Sequence, residues 1–249
     1  MTEAPVVPDR AVVVGVDGSA ASLNALRYAR REARRLGTRA DVMHVVHGSV
    51  VRSLVAAGDE GSLLVVGSDR RQPPLRLMTG NVTTAVAARC AAPVVSVPET
   101  WRQGRATGVV LVGVKHPHHS EALMSEAYAV ARRRGSRLVV LHASARHHWE
   151  AGHGQVELRE LLGPWQERWP EVEVEVRSVH DQAGCALATA SAEADELVIA
   201  RRCQGFPETA HLGATARTVL LHAACPVRVV PGTAVRPVRR PELAGAALA

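Results

Sequence analysis

The sequence predicts an α/β protein made of two open parallel sheets in tandem, the first of them shortened. Three observations carry that prediction. Apolar, β-branched runs alternate with amphipathic helical patterns, the order that gives parallel strands joined by right-handed crossovers. The chain also repeats itself, since Val14-Gly15-Val16 recurs as Val112-Gly113-Val114 and Met43-His44 as Leu141-His142. Finally, 47% of the 249 residues are apolar and 22% charged, which suits a packed core and not a disordered chain.

The offset between the copies locates the shortening. Gly15 and Gly113 stand 98 residues apart, as do Gly37 and Gly135, whereas Gly80 and Gly213 stand 133 apart, as do Pro93 and Pro226. The first copy is therefore 35 residues shorter, and the loss falls between His44 and Gly80.

Each element follows from its pattern. Ala11 to Val16 is a continuous apolar run, as in a strand covered on both faces. The next helix places Leu23, Leu26, Ala29, Ala33 and Leu36 at steps of three and four. Arg27, Arg30, Arg31, Arg34 and Arg35 take the opposite, solvated side. Gly37 ends it, a residue that readily takes the left-handed conformation after a helix. Asp41 to Val46 is a second strand, Val50 to Ala57 a helix and Leu63 to Val66 a further strand. The room between Val46 and Leu63 admits one helix but not a helix, a strand and another helix. The first copy is read as four-stranded, without the edge strand and one helix. Loss of its second strand instead is the competing reading.

In the second copy Val109 to Val114 is a strand, the helix ends at Gly135, and Arg137 to His142 is the second strand. His147 to Arg168 is helical, Val172 to Val179 a strand and Ala183 to Glu193 a helix. Glu196 to Ala200 is a strand, Ala214 to Ala224 the last helix and Val227 to Val230 the last strand. The domains are placed at residues 8–100 and 107–232. The stretch 233–249, rich in Pro and Arg, is expected to be a flexible tail.

Composition excludes several functions. Aromatic residues are only 3%, too few for a platform that stacks the bases of single-stranded nucleic acid. The net charge of +6 comes from arginines, Lys115 being the one lysine, and its main cluster lies on a solvated helix face, so no nucleic-acid partner is expected. No apolar run approaches the roughly 20 residues that span a bilayer. Met1 to Arg10 lacks the apolar stretch of a secretory signal, so a cytoplasmic location is expected. Cys90, Cys185, Cys203 and Cys225 lie far apart with no CxxC pair, which indicates neither a disulfide framework nor a thiolate zinc site.

Ligands of open α/β sheets settle beyond the carboxyl ends of the strands. Two segments of the first copy belong there. Asp17-Gly18-Ser19 follows the first strand. Gly67-Ser68-Asp69-Arg70 follows the strand Leu63 to Val66 and leads to Thr79-Gly80-Asn81 at the start of a helix. Glycine there lets backbone amides approach a phosphate, and Asp17 can accept a hydrogen bond from a ribose hydroxyl. The same residues equally suit turns and a helix cap.

Together with His44-Val45, the run Val65-Val66-Gly67-Ser68 through Gly80 and Ala92-Pro93-Val94-Val95, these segments resemble the universal stress protein family. The resemblance implies a Rossmann-like fold, of the adenine nucleotide alpha hydrolase-like type, with strand order 3-2-1-4-5. It also implies dimerisation, with tandem members acting as fused pairs. The two final strands, Val94 to Val97 and Val227 to Val230, would then pair within the chain, and a homodimer is compatible with the same pattern.

ATP-binding members carry a Gly, two residues, a Gly, nine residues, then Gly and Ser or Thr. This chain keeps Gly67 and Gly80 at that separation, with Arg70 for the middle glycine and Asn81 for the Ser or Thr. The resemblance implies ATP, with magnesium as its companion ion: Asp17 at the ribose, Val45 at the adenine, and Gly67, Gly80 and Asn81 around the phosphates. Arg70 would either block the phosphate path or pair with a phosphate.

The second copy departs further. Lys115 replaces the Asp, His116-Pro117 the Gly-Ser, Ala200 the first glycine and Cys203 the middle one, and Gly213 is followed by Ala214. It is read as structural, although Lys115 reverses the local charge and can receive an anion. His116, His118, His119, His142, His147, His148, His153 and His180 fall near the same carboxyl edge, but no acidic or thiolate ligand is spaced with them and no metal is expected. Arg201 and Arg202 can favour the Cys203 thiolate, against the plainer reading of an inert thiol. No Ser/His/Asp motif or carboxylate pair stands out, so no catalytic residue is assigned. Two functions remain: a stress-response ATP-binding protein with its site in the first copy, and a scaffold of the same fold that binds no nucleotide.

Overall fold

The computed structural model describes residues 10–68, 82–104, 106–115, 121–144, 153–201, 203–204 and 211–232. The apolar runs form strands β1 (Val12–Gly15), β2 (Ala40–Met43), β3 (Leu63–Ser68) and β4 (Val94–Pro98), then β5 (Val109–Val114), β6 (Arg137–Ala143), β7 (Val174–Val179) and β8 (Glu196–Arg201). The short strands β9 (Cys203–Gln204) and β10 (His211–Leu212), two residues each, form a separate antiparallel pair, which the sequence did not announce, before β11 (Val227–Pro231). The helices are α1 (Ala20–Leu36), α2 (Val50–Glu60), α3 (Val82–Arg89), α4 (Glu121–Arg134), α5 (His153–Arg168), α6 (Ala183–Ala190) and α7 (Ala214–His222).

One sheet holds nine strands in the order β2-β1-β3-β4-β11-β8-β5-β6-β7. Every neighbouring pair is parallel except β4 and β11, which run antiparallel with Val94 opposite Val229 and Ser96 opposite Val227. The two expected sheets thus meet edge to edge. That junction satisfies the backbone donors and acceptors that either apolar final strand would otherwise leave open. Counted outward from the seam, the first half is β4-β3-β1-β2 and the second β11-β8-β5-β6-β7.

The halves share their local devices. A Cβ on Gly15 would lie 2.9 Å from Leu54 Cδ2 of α2, and one on Gly113 would lie 2.8 Å from Leu187 Cδ1 of α6. A leucine fills the space above the bare strand in both, so α2 stands where α6 stands. Likewise His44 Nδ1 meets Val16 O at 2.7 Å and His142 Nδ1 meets Val114 O at 3.2 Å, tying the ends of neighbouring strands. Among the described residues the first half has no counterpart of α5 and β7. Gly37 and Gly135 close α1 and α4 at φ +67° and +61°, where a Cβ would be strained.

One face of the sheet carries α2, α3, α6 and α7 over an apolar core that crosses the seam, with Leu54, Val86, Val94, Leu187, Val219 and Val229 all buried. The other face carries two apolar clusters, one under α1 and one under α4 and α5. Between these two clusters the seam is polar. Strand alternation sends Val227 and Val229 into the continuous core and Arg228 to the opposite face, where it is 2% exposed. Arg228 donates to Glu196 Oε1 at 2.5 Å, to Glu126 Oε1 at 2.7 Å and to Glu32 Oε2 at 3.0 Å. Arg134 donates to Glu32 Oε1 at 2.8 Å and to Glu196, and Tyr28 OH donates to Glu196 as well. Charges this deep are tolerable because each is paired and hydrogen-bonded.

The seam also corrects the reading of α1. Leu23, placed inside by its spacing, is exposed, whereas Tyr28 and Glu32 are buried and Arg31 and Arg35 half-buried. A helix packed on its own sheet alone would bury the leucine stripe. Here α1 is flanked by the second half, and its buried arc turns toward α4. Strand β2 ends at Met43, three residues short of the expected Val46, so Val45 lies beyond it. The expected start of the fifth helix and the expected tail lie outside the described residues.

Candidate functional site

In the first half the chain leaves β1 for β2 on one side and reaches β3 on the other, so the strand order reverses between β1 and β3. The crevice beyond their carboxyl ends is where such sheets bind ligands. Asp17 stands there, exposed, just after β1. Its Oδ1 accepts from Ser19 N at 3.0 Å, and its own amide donates to Ser22 Oγ at 3.3 Å. Ser19 in turn caps α1, its hydroxyl accepting from Ser22 N at 3.1 Å. The hydrogen bond from Ser19 holds the Asp17 carboxyl below its ordinary pKa, against the opposing effect of partial burial. Asp17 is therefore a fixed anion. Val45 lies half-buried next to His44, whose bond to Val16 O anchors this corner.

Gly67 on β3 faces the first turn of α1. A Cβ there would lie 2.5 Å from Ala21 C and 2.6 Å from Ser22 N, both backbone atoms that cannot swing aside. The absent side chain is thus required by helix-on-strand packing, and its carbonyl accepts from Thr83 Oγ1 at 3.2 Å to link β3 with α3. Gly67→Ala is expected to cost about 1–3 kcal/mol by overpacking, read as a lowered midpoint in thermal unfolding. An unchanged midpoint would mean that α1 retreats freely.

The other expected phosphate residues, Arg70, Gly80 and Asn81, lie in the stretch between β3 and α3, outside the described residues. The structure therefore brings Asp17, Val45 and Gly67 to one edge of the sheet, and the rest of the set is carried by sequence. In the second half Lys115 is exposed after β5 and Ala200 is half-buried on β8. Gly213 precedes α7 at φ −61°, and nothing stands within 4 Å of where its Cβ would lie. His116, His118, His119, His147 and His148 lie outside the described residues, while His142 is buried and His180 exposed. Among the described residues no group of three or more His, Cys, Asp or Glu is placed to hold a metal ion. No described helix is long and apolar enough to cross a membrane.

Sequence reading missed the cluster of Arg228, Glu196 and Glu32. Its one local signal was a charged residue inside an otherwise apolar strand, Arg228 between Val227 and Val229.

The model of the universal stress protein family matches residues 10–62 and 107–231. The first of these segments stops short of Gly67, so the expected phosphate stretch lies beyond it. A universal stress protein of Mycolicibacterium smegmatis is 27% identical over 282 residues, spanning 88% of this chain and 96% of its own. One of Mycobacterium tuberculosis (strain CDC 1551 / Oshkosh) is 30% identical over 219 residues, spanning 83% of this chain and 73% of its own. Among solved structures, a universal stress protein from Archaeoglobus fulgidus DSM 4304 superposes with a TM-score of 0.67 at 17% identity, covering 91% of this chain and 97% of that one.

Proposed function

The chain belongs to the universal stress protein family, and from that premise we propose that it is a stress-response protein that takes one ATP in its first half. The observation that carries this reading is the meeting of the ionised Asp17, Val45 and the Gly67–Ser68 end of β3 where the strand order reverses. Asp17 accepts from the ribose hydroxyls, Val45 packs on the adenine, and Gly67, Arg70, Gly80 and Asn81 surround the phosphates. Arg70 pairs with a phosphate there, a charge-assisted contact suited to a guanidinium. Magnesium travels on the phosphates. The domains are residues 8–100 and 107–232, with 233–249 as a tail. The second is structural, because Lys115 presents the wrong charge to a ribose. No group is assigned as a catalytic base.

A scaffold that binds no nucleotide is the alternative, and one observation favours it: α1 occupies the space that Gly67 leaves. Calorimetry with ATP and magnesium separates the two. The expected result is one site per chain, weakened roughly 10-fold or more by Asp17→Asn, which removes a charged acceptor worth about 1.5–3 kcal/mol. Gly80→Val is expected to abolish binding by filling the phosphate approach. Gly213→Val leaves it intact, since its φ of −61° and open surroundings accept a side chain. Two sites per chain, or loss only through Gly213, would overturn the assignment. No heat at millimolar ATP would establish the scaffold.

A further inference from the structure

Under the linker that joins β4 to β5, a cavity of about 90 Å³ opens between the two halves. Arg31 and Arg35 of α1, Arg134 at the end of α4, Tyr28, Trp101 and Asp195 are among its lining residues. The space is enough for one tetrahedral oxyanion. It lies about three turns along α1 from the Ser19 cap, so it is not the crevice at Asp17.

The charge around it is unbalanced. Arg35 bonds Glu32 at 2.7 Å, and Arg134 spends one Nη on Glu32 and Glu196. The Arg134 side chain is 6% exposed, yet its Nε is buried without a hydrogen-bond partner. Arg31 is half-buried and forms no ion pair with a carboxylate among the described residues. Burial first, then Arg35 and Arg134, holds the Arg31 guanidinium below its ordinary pKa, while Glu32 and Asp195 act in the other direction. Asp195 is already occupied, accepting from Thr107 N at 2.7 Å and Gly108 N at 2.9 Å to pin the linker. Counted through the whole network beside the cavity, five guanidiniums (Arg31, Arg35, Arg133, Arg134, Arg228) stand with four carboxylates (Glu32, Glu126, Asp195, Glu196).

We propose that this seam cavity is a second anion site, which takes a phosphate group between Arg31, Arg35 and Arg134. A phosphate supplies the missing negative charge and offers oxygens in the planar fork geometry that guanidiniums prefer. The phosphate is either free or the terminal group of a small phosphate ester, and the chemistry of capture is the same. Bound there, it would brace α1 of the first half against α4 of the second.

The test is titration of the full chain with inorganic phosphate in a phosphate-free buffer, followed by calorimetry and by Trp101 fluorescence. One saturable site per chain is expected, weakened at least 10-fold in Arg31→Gln. The unfolding midpoint of that variant in the absence of phosphate stays close to the parent's, because Arg31 holds no ion pair. Glycerol 3-phosphate binding as well as phosphate identifies an ester as ligand, and phosphate binding alone identifies the free ion; both support the site. Four results would overturn it: no saturable binding, acetate binding as tightly as phosphate, undiminished binding by Arg31→Gln, or loss of binding when the crevice is blocked. Gly80→Val, which fills the phosphate approach of the crevice, is expected to leave the titration unchanged. Loss of phosphate binding in Gly80→Val would move the phosphate to the crevice at Asp17 and overturn the seam assignment, whatever the fate of the nucleotide reading.

Discussion

Arg228→Met is expected to lower the free energy of unfolding by about 3–5 kcal/mol, the cost of leaving buried charge without its partner. The methionine fills much of the volume, so the loss is electrostatic and not a cavity effect. Glu196 and Glu32 have side chains 0% and 1% exposed, and Arg228 contacts both. Without it Arg134 is the one guanidinium that touches both, and Arg35 on Glu32 is the other cation left to the pair. Urea unfolding at neutral pH reads the change as a shifted midpoint. Adding Glu196→Gln, which removes one orphaned charge and still accepts from Tyr28, is expected to recover part of the loss. A change under about 1 kcal/mol in the single variant would mean that water enters the seam and screens the carboxylates.

That cluster also marks where sequence stops being legible. The central strands β1, β3 and β5 were readable because each is an apolar, largely Val and Leu run whose backbone must pair, and the helix ends because Gly37 and Gly135 take a conformation other residues avoid. The repeat offset placed His44 and His142, and both turn out to close equivalent corners. Arg228 and Glu32, however, stand 196 residues apart and belong to different halves, so no local pattern announces that they meet. The α1 stripe misled for the same reason. Periodicity describes a helix on one surface, and α1 packs against two, which buries Tyr28 and exposes Leu23.

The candidate site was legible in its residues more than in their roles. Asp17 and Gly67 stand out in the sequence as an acid and a glycine at strand ends, and both reach the reversal point of the sheet. What sequence could not supply is that Gly67 is demanded by the backbone of α1, 2.5 Å from where its Cβ would be. A packing glycine and a ligand-admitting glycine look alike in one dimension. Only the position of the neighbouring helix separates them.

Stability is expected to fall on acidification in a window set by Glu32. Burial alone would raise its carboxyl pKa, but Arg228 and Arg134, with the hydrogen bond from Arg35, outweigh burial and hold it at about 2, against an ordinary 4.5. A carboxylate depressed in the folded state binds protons more readily when unfolded. Its contribution is therefore complete above about pH 4.5 and disappears as the pH falls toward 2. The shift corresponds to roughly 3 kcal/mol. Unfolding by urea at a series of pH values from 6 down to 2 is expected to show that loss in the parent chain. Glu32→Gln starts less stable at pH 6, because Arg228 and Arg134 lose a charged partner, but declines less steeply through the same window. If both proteins lose stability with the same slope, the acid sensitivity resides in other carboxylates. The seam would then owe its cohesion to β4–β11 pairing and the continuous apolar face, with the ion cluster serving to set the register of the two halves.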